Sequence, residues 1–526
     1  MAAKRKISAL KRARIISQTV FLALFLFLLA STEYHGTDLI AYPVKIFLEL
    51  DPLILLTTFL SSHAVAAGLL LSLIFVAITL VLGRVFCGWF CPFGALHDLV
   101  GSFKKWKKKA KPETQLDKYG CRVKYYILAA ILIAAVFQIH LVGLFDPIAL
   151  TIRSFATAIS PAINYLVHGF FDLLYRTNID AVTAVSEPVY EFLRNHAISF
   201  GKPTFQQGSL IGLIFLGLLA LNFVRRRFWC RYLCPAGALF ALLSRFSLLN
   251  HKLAGESCND CKLCVATCSG GARPYPEDEW RGSECVLCMS CHSVCPKQAI
   301  SFRFGKPEPE LRRTDLKRRY VLMAGGAGIA SLALIRLNPV RETGNAQLIR
   351  PPGSVNVEEF LRRCIKCGEC MKVCITNGLQ PTFLQAGFEG IWSPVLVPRI
   401  GYCEYNCTLC GQVCPTDAIE QLDVEAKHKR KIGLAFFDHN RCLPYAFGIN
   451  CIVCEEHCPT DPKAIQFERK TVATDNGEQE IKLPLIDPDV CIGCGICENV
   501  CPVGEKAAVR ISSVGEDRSD KNKILL

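Results

Sequence analysis

Six sets of four cysteines constrain this chain more than any other feature of its sequence. The first two, "CNDCKLCVATC" and "CVLCMSCHSVC", share the spacing C-x2-C-x2-C-x3-C, and four more sets follow residue 360. This spacing is typical of bacterial [4Fe–4S] ferredoxins. Zinc sites generally use two separated cysteine pairs, and disulfide frameworks belong to short secreted chains. The sequence therefore predicts six [4Fe–4S] clusters.

In the ferredoxin pattern, three closely spaced cysteines bind one cluster and the fourth binds the other cluster of the pair. The first two sets predict one cluster on Cys258, Cys261, Cys264 and Cys295, and a second on Cys285, Cys288, Cys291 and Cys268. Such clusters normally carry one electron each, and no nucleophile or acid–base pair stands near them. The sets therefore indicate electron transfer rather than bond chemistry.

Four apolar runs precede the first cysteine set, at 15–29, 64–85, 125–144 and 210–224. A helix needs ~20 residues to cross a bilayer, so four crossings are predicted. Lys and Arg favour cytoplasmic loops. They concentrate in 1–14, 101–124 and 225–231, which predicts a cytoplasmic N-terminus and an extracytoplasmic segment 146–208. Because the basic residues adjoin apolar runs, the net charge of +14 does not indicate nucleic-acid binding.

The stretch "LKRRYVLMAGGAGIASLALIRL", residues 316–337, has the pattern of a twin-arginine export signal. In mid-chain it predicts a fifth crossing, with everything after about residue 345 outside the cytoplasm. The alternative is a buried soluble helix that leaves the C-terminal half in the cytoplasm.

Two further motifs, "CGWFCP" and "CRYLCP", each end an apolar run on the predicted cytoplasmic side. They form an internal repeat with Cys87, Cys91, Cys230 and Cys234. Their thiolates are predicted to converge on a metal, a cluster or dithiol chemistry, and the alternative is a purely structural turn. Haem is not predicted, because His63 and His140 lie singly near helix ends.

The predicted fold is multi-domain: an all-α polytopic membrane domain with α+β ferredoxin-like domains. Four parts are expected. They are a four-helix transmembrane domain at 1–250, a cytoplasmic two-cluster ferredoxin domain at 251–311, a twin-arginine-like anchor helix at 312–345 and an extracytoplasmic four-cluster domain at 346–526.

The residues up to about 310 resemble the NapH family of membrane ferredoxins, whose membrane core the NosR family shares. The resemblance rests on the four crossings, the paired Cys-x3-Cys-Pro motifs and the double ferredoxin set. From "RRYVL" onward the chain resembles NapG, through "IRPPGSVNVEEFLRRCIKCGECMKVC", "KIGLAFFDHNRCL" and "CIGCGICENVCP". The chain thus resembles a NapH–NapG fusion.

The resemblance implies a quinol dehydrogenase in the cytoplasmic membrane of a bacterium or archaeon. Its expected partners are membrane lipid, the quinone pool and an extracytoplasmic or membrane oxidoreductase subunit. His97 and Asp98 are the candidate proton acceptors. The alternative is a maturation factor that assembles a partner's metal centre through the Cys-x3-Cys-Pro cysteines.

Four-cluster relatives further imply that the outer cysteine sets pair with each other and the inner sets likewise. The alternative is that each set closes its own cluster. The implied ligand sets are Cys364, Cys367, Cys370 with Cys501; Cys403, Cys407, Cys410 with Cys458; Cys442, Cys451, Cys454 with Cys414; and Cys491, Cys494, Cys497 with Cys374.

Overall fold

The computed structural model divides the chain into two compact units, each assembled from separated segments. The N-terminal unit contains Met1–Ala30, Val44–Ser154 and Leu210–Ala333, and the C-terminal unit contains Ser31–Pro43, Phe155–Ser209 and Leu334–Leu526. The structure describes residues 9–34, 36–104, 117, 119–196, 198–199, 201–276, 280–306, 322–323, 325–326, 328–330, 347–474, 477–519 and 522.

The N-terminal unit is built mainly from apolar helices. Their aromatic side chains pack together, with the rings of Phe86 and Phe240 stacked at 5.0 Å between centroids. The longer elements are Ala9–Ser31, Pro52–Ser62, Ser72–Leu82, Pro92–Ser102, Val123–Val136, Pro147–Ser154, Gly208–Ala220 and Pro235–Leu243.

Within the described residues, Ala9–Ser31 is the one helix long and apolar enough to cross a bilayer. It coincides with the first predicted crossing. Four other apolar helices are shorter: Pro52–Ser62, Ala67–Leu82, Gly208–Phe223 and Pro235–Phe246. The number of crossings therefore stays a prediction.

Most of the predicted fifth crossing, 316–337, lies outside the described residues. Of the part that is described, Gly325 and Gly328 lie directly against Ile133 on the helix Val123–Val136. Their missing side chains let the two segments approach closely.

The end of the N-terminal unit contains a two-stranded antiparallel sheet. Leu249–Leu253 pairs with Ile300–Phe304, and Leu253 lies opposite Ile300. Two short helices, Leu263–Thr267 and Ser290–Val294, lie between these strands and pack together. Each of these helices begins within one of the first two cysteine sets, so the ferredoxin pattern of the sequence corresponds to one folded module.

The described residues of the C-terminal unit form a core of buried apolar and cysteine side chains with three small sheets. Ile40 and Phe205, from two segments distant in sequence, pack against this core. The strands pair antiparallel as Leu379–Pro381 with Pro394–Leu396, Leu434–Phe437 with Val509–Ser512, and Ile465–Thr474 with Gly477–Ile486. The helices are Ser160–Tyr175, Asp180–His196, Val357–Arg363, Glu369–Lys372, Leu409–Gln412, Val424–His428, Leu443–Phe447, Val453–Glu456 and Ile496–Val500.

Candidate metal centres

The second cysteine set lines a cavity of about 370 Å³ in the N-terminal unit. Its wall includes Cys268, Cys285, Cys288 and Cys291, which are the four residues that the ferredoxin pattern groups together. The backbone N–H of Ala272 donates to the Cys268 Sγ at 3.2 Å. In the first set, burial raises the pKa of Cys264 to about 11, and the neighbouring Cys261 and Cys258 add to this rise.

A second cavity, of about 430 Å³, lies in the C-terminal unit. Its wall includes Cys374, Cys403, Cys407 and Cys410. The resemblance implied a different partner for Cys374, namely the set that begins at Cys491. The structure instead brings Cys374 to the neighbouring set in the sequence.

A third cavity, of about 340 Å³, is lined by Cys442, Cys451, Cys454 and Cys501. The resemblance implied that Cys501 would join the set that begins at Cys364. The outer-with-outer arrangement stays a prediction, and the lining of this cavity favours a different partner for Cys501.

Cys414 and Cys458, the fourth cysteines of the two remaining sets, also lie near the thiols of a neighbouring set. Burial raises the pKa of Cys370 well above its usual value, and the adjacent thiols Cys367, Cys364 and Cys414 add to the rise. The same effects act on Cys497, whose thiol neighbours are Cys494, Cys491, Cys454 and Cys458. Cys414 therefore lies with the Cys364 set, and Cys458 lies with the Cys491 set.

The length of the connecting helices explains this arrangement. A single helical turn, Glu369–Lys372 or Leu409–Gln412, separates the third and fourth cysteine of each set, and these two turns pack against each other. Val453–Glu456 and Ile496–Val500 pack together in the same way. One turn advances the chain by only ~5 Å. The fourth thiol of one set therefore lies beside the three closely spaced thiols of the set whose helix packs against it.

Four thiols around a cavity suit a cubane cluster, in which each of four irons takes one cysteine ligand. The cavities that contain Cys268, Cys374 and Cys501 each have four cysteines on their walls. Within the described residues, no group of three His, Cys, Asp or Glu side chains has the closer spacing that a single metal ion requires.

A backbone hydrogen bond links the Cys403 set to the Cys491 set in the C-terminal unit. The N–H of Cys403 donates to the carbonyl oxygen of Cys494 at 2.8 Å. Beside it, the buried ammonium of Lys427 donates to the carbonyl oxygen of Cys407 at 2.6 Å. The Cys403 set and the Cys491 set are therefore adjacent, and a cation lies next to the first of them.

The two Cys-x3-Cys-Pro motifs converge in the N-terminal unit. Cys91 and Cys234 precede the helices Pro92–Ser102 and Pro235–Leu243, and the N–H of Gly237 donates to the Cys234 Sγ at 3.2 Å. Cys230 lies within electrostatic range of both Cys87 and Cys91. The first motif forms a π-helical turn, Phe86–Phe90, a distortion that is frequent at functional sites.

An arginine stands three residues before each motif, a repeat that the sequence interpretation missed. Arg227 donates through Nη1 to the carbonyl oxygen of Cys87 at 2.9 Å, and through Nε to Asp98 Oδ1 at 2.9 Å. Arg84 Nη1 lies 3.2 Å from Glu284 Oε2, and its Nη2 lies 4.0 Å from the Cys87 Sγ. Two buried guanidinium groups thus face the four thiols, a setting that favours an anionic centre.

The first motif also packs directly on the ferredoxin module. A side chain at Gly88 would meet the carbonyl oxygen of Val286, because a Cβ there would lie 2.0 Å from it. The indole of Trp89 donates to the carbonyl oxygen of Leu287 at 3.1 Å. Glu284, one residue before Cys285, accepts from Lys124 and, at 2.8 Å, from Tyr125. The four-thiol group therefore adjoins the Cys285–Cys288 loop.

His97 and Asp98, the two candidate proton acceptors, have different surroundings. Burial and the charge of Arg227 lower the pKa of His97 to about 4, and its ring packs edge-on to Phe93 at 4.6 Å between centroids. Burial raises the pKa of Asp98, but Arg227 and Arg14 together lower it far below the usual carboxyl range. Asp98 is thus an ionised anchor for two arginines.

Comparison with known proteins assigns this geometry to a class. Residues 65–110 and 208–254, each with one Cys-x3-Cys-Pro motif, match the model of a 4Fe-4S binding domain. Residues 448–505 match the model of a 4Fe-4S dicluster domain. No solved structure matches the chain. The protein is a [4Fe–4S] protein of the ferredoxin type.

Similar curated proteins define the family more closely. The chain is 33% identical over 211 residues to the methylamine utilization ferredoxin-type protein MauM of Methylorubrum extorquens. The matched residues make up 39% of this chain and 91% of MauM. It is 33% identical over 212 residues to the ferredoxin-type protein NapG of Escherichia coli, covering 40% of this chain and 88% of NapG. The chain therefore belongs to the NapG/MauM family of ferredoxin-type proteins, and it transfers electrons through [4Fe–4S] clusters.

Proposed function

We propose that this protein is a membrane-bound polyferredoxin that oxidises quinol and passes the electrons through six [4Fe–4S] clusters to a partner oxidoreductase. The observation that carries the proposal is the continuous contact between the four-thiol group of the Cys-x3-Cys-Pro motifs and the Cys285–Cys288 loop. It offers a direct path from the apolar N-terminal helices to a cluster. Each cluster, when bound, accepts and donates one electron.

Membrane attachment has support in the surface of the N-terminal helices. Phe27, Ile74, Leu213 and Leu216 are all more than half exposed, with Leu213 at 69%. Exposed apolar side chains on these helices are the surface that contact with lipid requires. The helix Ala9–Ser31 adds a segment of sufficient length.

We propose ligand sets for the six clusters that follow the cysteine groups described above. The N-terminal pair keeps the sets expected from the sequence spacing. The C-terminal sets are Cys364, Cys367, Cys370 with Cys414; Cys403, Cys407, Cys410 with Cys374; Cys442, Cys451, Cys454 with Cys501; and Cys491, Cys494, Cys497 with Cys458.

These sets suggest a linear order of clusters in the C-terminal unit. The Cys403–Cys494 hydrogen bond joins the two pairs, so the order would be the Cys364, Cys403, Cys491 and Cys442 sets. The segment 31–43 binds beside the second of them, where Asp38 Oδ1 accepts from the N–H of Thr408 at 2.9 Å. The Cys442 set, at the far end of this order, is the proposed exit toward the partner.

The location of the C-terminal unit outside the cytoplasm has support in the same contacts. Asn377 donates to the carbonyl oxygen of Thr204 at 2.8 Å, and Trp392 donates to Gln207 at 3.1 Å. The segments that contact the ferredoxin domain, 31–43 and 198–207, are the ones in which the sequence has few basic residues, as expected for extracytoplasmic loops.

A reporter fused after Leu526 and assayed in intact cells is therefore expected to be extracytoplasmic. The control is the same reporter inserted in the basic segment 101–124, where the charge pattern predicts the cytoplasm. A cytoplasmic reporter at both positions would contradict the fifth crossing and would put all six clusters on one side.

Quinol oxidation itself is tested by mixing purified oxidised protein with a reduced short-chain quinol and following the bleaching of the cluster absorbance. The wild-type clusters are expected to bleach. Cys87→Ser and Cys230→Ser are expected to reduce the rate to the background measured without quinol, because each removes a thiol from the group that lies against the Cys285–Cys288 loop. Dithionite should still bleach the clusters of both variants. Cys121→Ser, outside both motifs, is the control and should match the wild type.

The same variants separate electron transfer from the alternative role in maturation. If Cys87→Ser oxidises quinol normally while a co-expressed partner enzyme lacks its metal centre, the motif serves assembly. If the wild-type clusters do not bleach with any quinol, the proposed reaction is wrong.

A further inference from the structure

A second repeat lies in the N-terminal unit, apart from the cysteine motifs. "LDPLIL" at 50–55 and "FDPIAL" at 145–150 each start a helix with Asp-Pro. Asp51 Oδ1 accepts from the N–H of Leu53 at 2.8 Å, and Asp146 Oδ1 accepts from the N–H of Ala149 at 2.8 Å. Each aspartate therefore caps its helix with one oxygen.

The two aspartates meet inside the protein. Both side chains have 0% exposure. Burial raises the pKa of Asp146, and the two carboxyl groups lie close enough for the charge of Asp51 to raise it further. Their Oδ2 atoms are buried and accept no bond from any donor among the described residues. Two carboxylates in contact at a buried site cannot both be ionised, because their charges repel and neither is hydrated. The pair must therefore hold a proton.

Helix capping alone does not require this arrangement. Asparagine caps a helix about as well as aspartate and avoids a buried acid. Two acids in equivalent repeat positions, each with a buried oxygen that the cap leaves over, indicate a function for the proton itself.

Titratable and charged side chains occur on several of the elements packed around the pair. Arg153 Nη1 donates to the carbonyl oxygen of Gly143 at 2.8 Å, and His140 Nε2 lies 3.2 Å from Thr57 Oγ1. The set on these and the neighbouring elements is Lys45, Glu49, His63, His97, Asp98, Lys124, Tyr125, Tyr126, His140 and Arg153.

We propose that Asp51 and Asp146 together accept and release the protons of quinol oxidation, an inference that rests on the proposed function. Oxidation of one quinol breaks two O–H bonds, gives two electrons to the clusters one at a time, and frees two protons. The singly protonated pair takes the first proton on its free carboxylate, releases it to solvent, and then takes the second.

The test uses full-length Asp51→Asn, Asp146→Asn and the double variant, because Asn preserves the helix cap. In the double variant, the quinol-dependent bleaching rate is expected to fall by about 10²–10⁴-fold, the usual contribution of a positioned acid or base. Bleaching by dithionite should be unchanged. Asp172→Asn, at an exposed ion pair with Lys202, is the matched control and should match the wild type.

Two further readouts distinguish a proton site from a structural contact. The wild-type rate should fall as the pH is lowered, since a doubly protonated pair accepts nothing, and this dependence should vanish in the double variant. At neutral pH, the infrared band of a protonated carboxyl should be present in the wild type and absent from the double variant. If the double variant oxidises quinol with the wild-type rate and pH profile, the assignment of Asp51 and Asp146 as the proton site is wrong, while the proposed quinol oxidation stands. Absence of the infrared band from the wild type would overturn it whether or not quinol is a substrate.

Discussion

Replacement of Cys501 by serine is expected to remove the cluster at Cys442, Cys451 and Cys454 and to leave the cluster at Cys364, Cys367 and Cys370 intact. Cys501 shares the wall of a cavity with the first three cysteines. The thiol outside the Cys364 set that most raises the pKa of Cys367 and Cys370 is Cys414. The loss would be measured as iron and acid-labile sulfide per chain, with the spectrum of the reduced protein as a second readout.

Double variants identify which cluster has been lost. Cys501→Ser combined with Cys451→Ser should lose no more iron than either single variant, because both changes affect one cluster. Cys501→Ser combined with Cys367→Ser should lose two clusters. The opposite result, two clusters lost in the first combination and one in the second, would restore the outer-with-outer pairing that the resemblance implied.

The number of cysteine sets and their chemistry could be inferred from the sequence because the ligands of each set are local. Three cysteines within seven residues, such as Cys491, Cys494 and Cys497, must lie together in any compact fold. The fourth ligand is different, since its position depends on which helices touch. The contact between Glu369–Lys372 and Leu409–Gln412 sends Cys374 and Cys414 across to each other's set, and no spacing rule in the sequence contains that information.

The polar residues around the Cys-x3-Cys-Pro motifs were harder to predict for a related reason. Arg84 and Arg227 stand at equivalent positions, so the repeat carried a signal, but their partners come from elsewhere in the chain. Arg227 binds Asp98, and Arg84 binds Glu284, 200 residues further on. Asp51 and Asp146 are likewise 95 positions apart, and they come close because Ile46–Glu49 packs on Pro147–Ser154 and Pro52–Ser62 packs on Val142–Phe145.

The buried ion pairs of Glu284 give the second prediction with a large expected effect, a loss of stability in Glu284→Gln. Glu284 accepts from both Arg84 and Lys124, and the side chains of these two cations are 1% and 0% exposed. Glu284→Gln removes the negative charge and leaves two buried cations without their counter-ion. Breaking a buried pair in this way costs about 3–5 kcal/mol. That is a large share of the ~5–15 kcal/mol that stabilises a typical folded protein, so the midpoint of thermal loss of the Cys285 cluster should fall markedly.

Two further variants test whether the loss of stability comes from the buried charges. Glu480→Gln, at the exposed pair with Arg469, should change the free energy of unfolding by no more than ~1 kcal/mol. Adding Lys124→Met to Glu284→Gln should recover part of the loss, since one of the two stranded charges is then absent. A thermal midpoint for Glu284→Gln equal to that of Glu480→Gln would mean that water reaches the site. The contact between the four-thiol group and the Cys285 loop would then depend on Gly88 and Trp89 alone, rather than on a buried ionic link between the apolar helices and the first ferredoxin module.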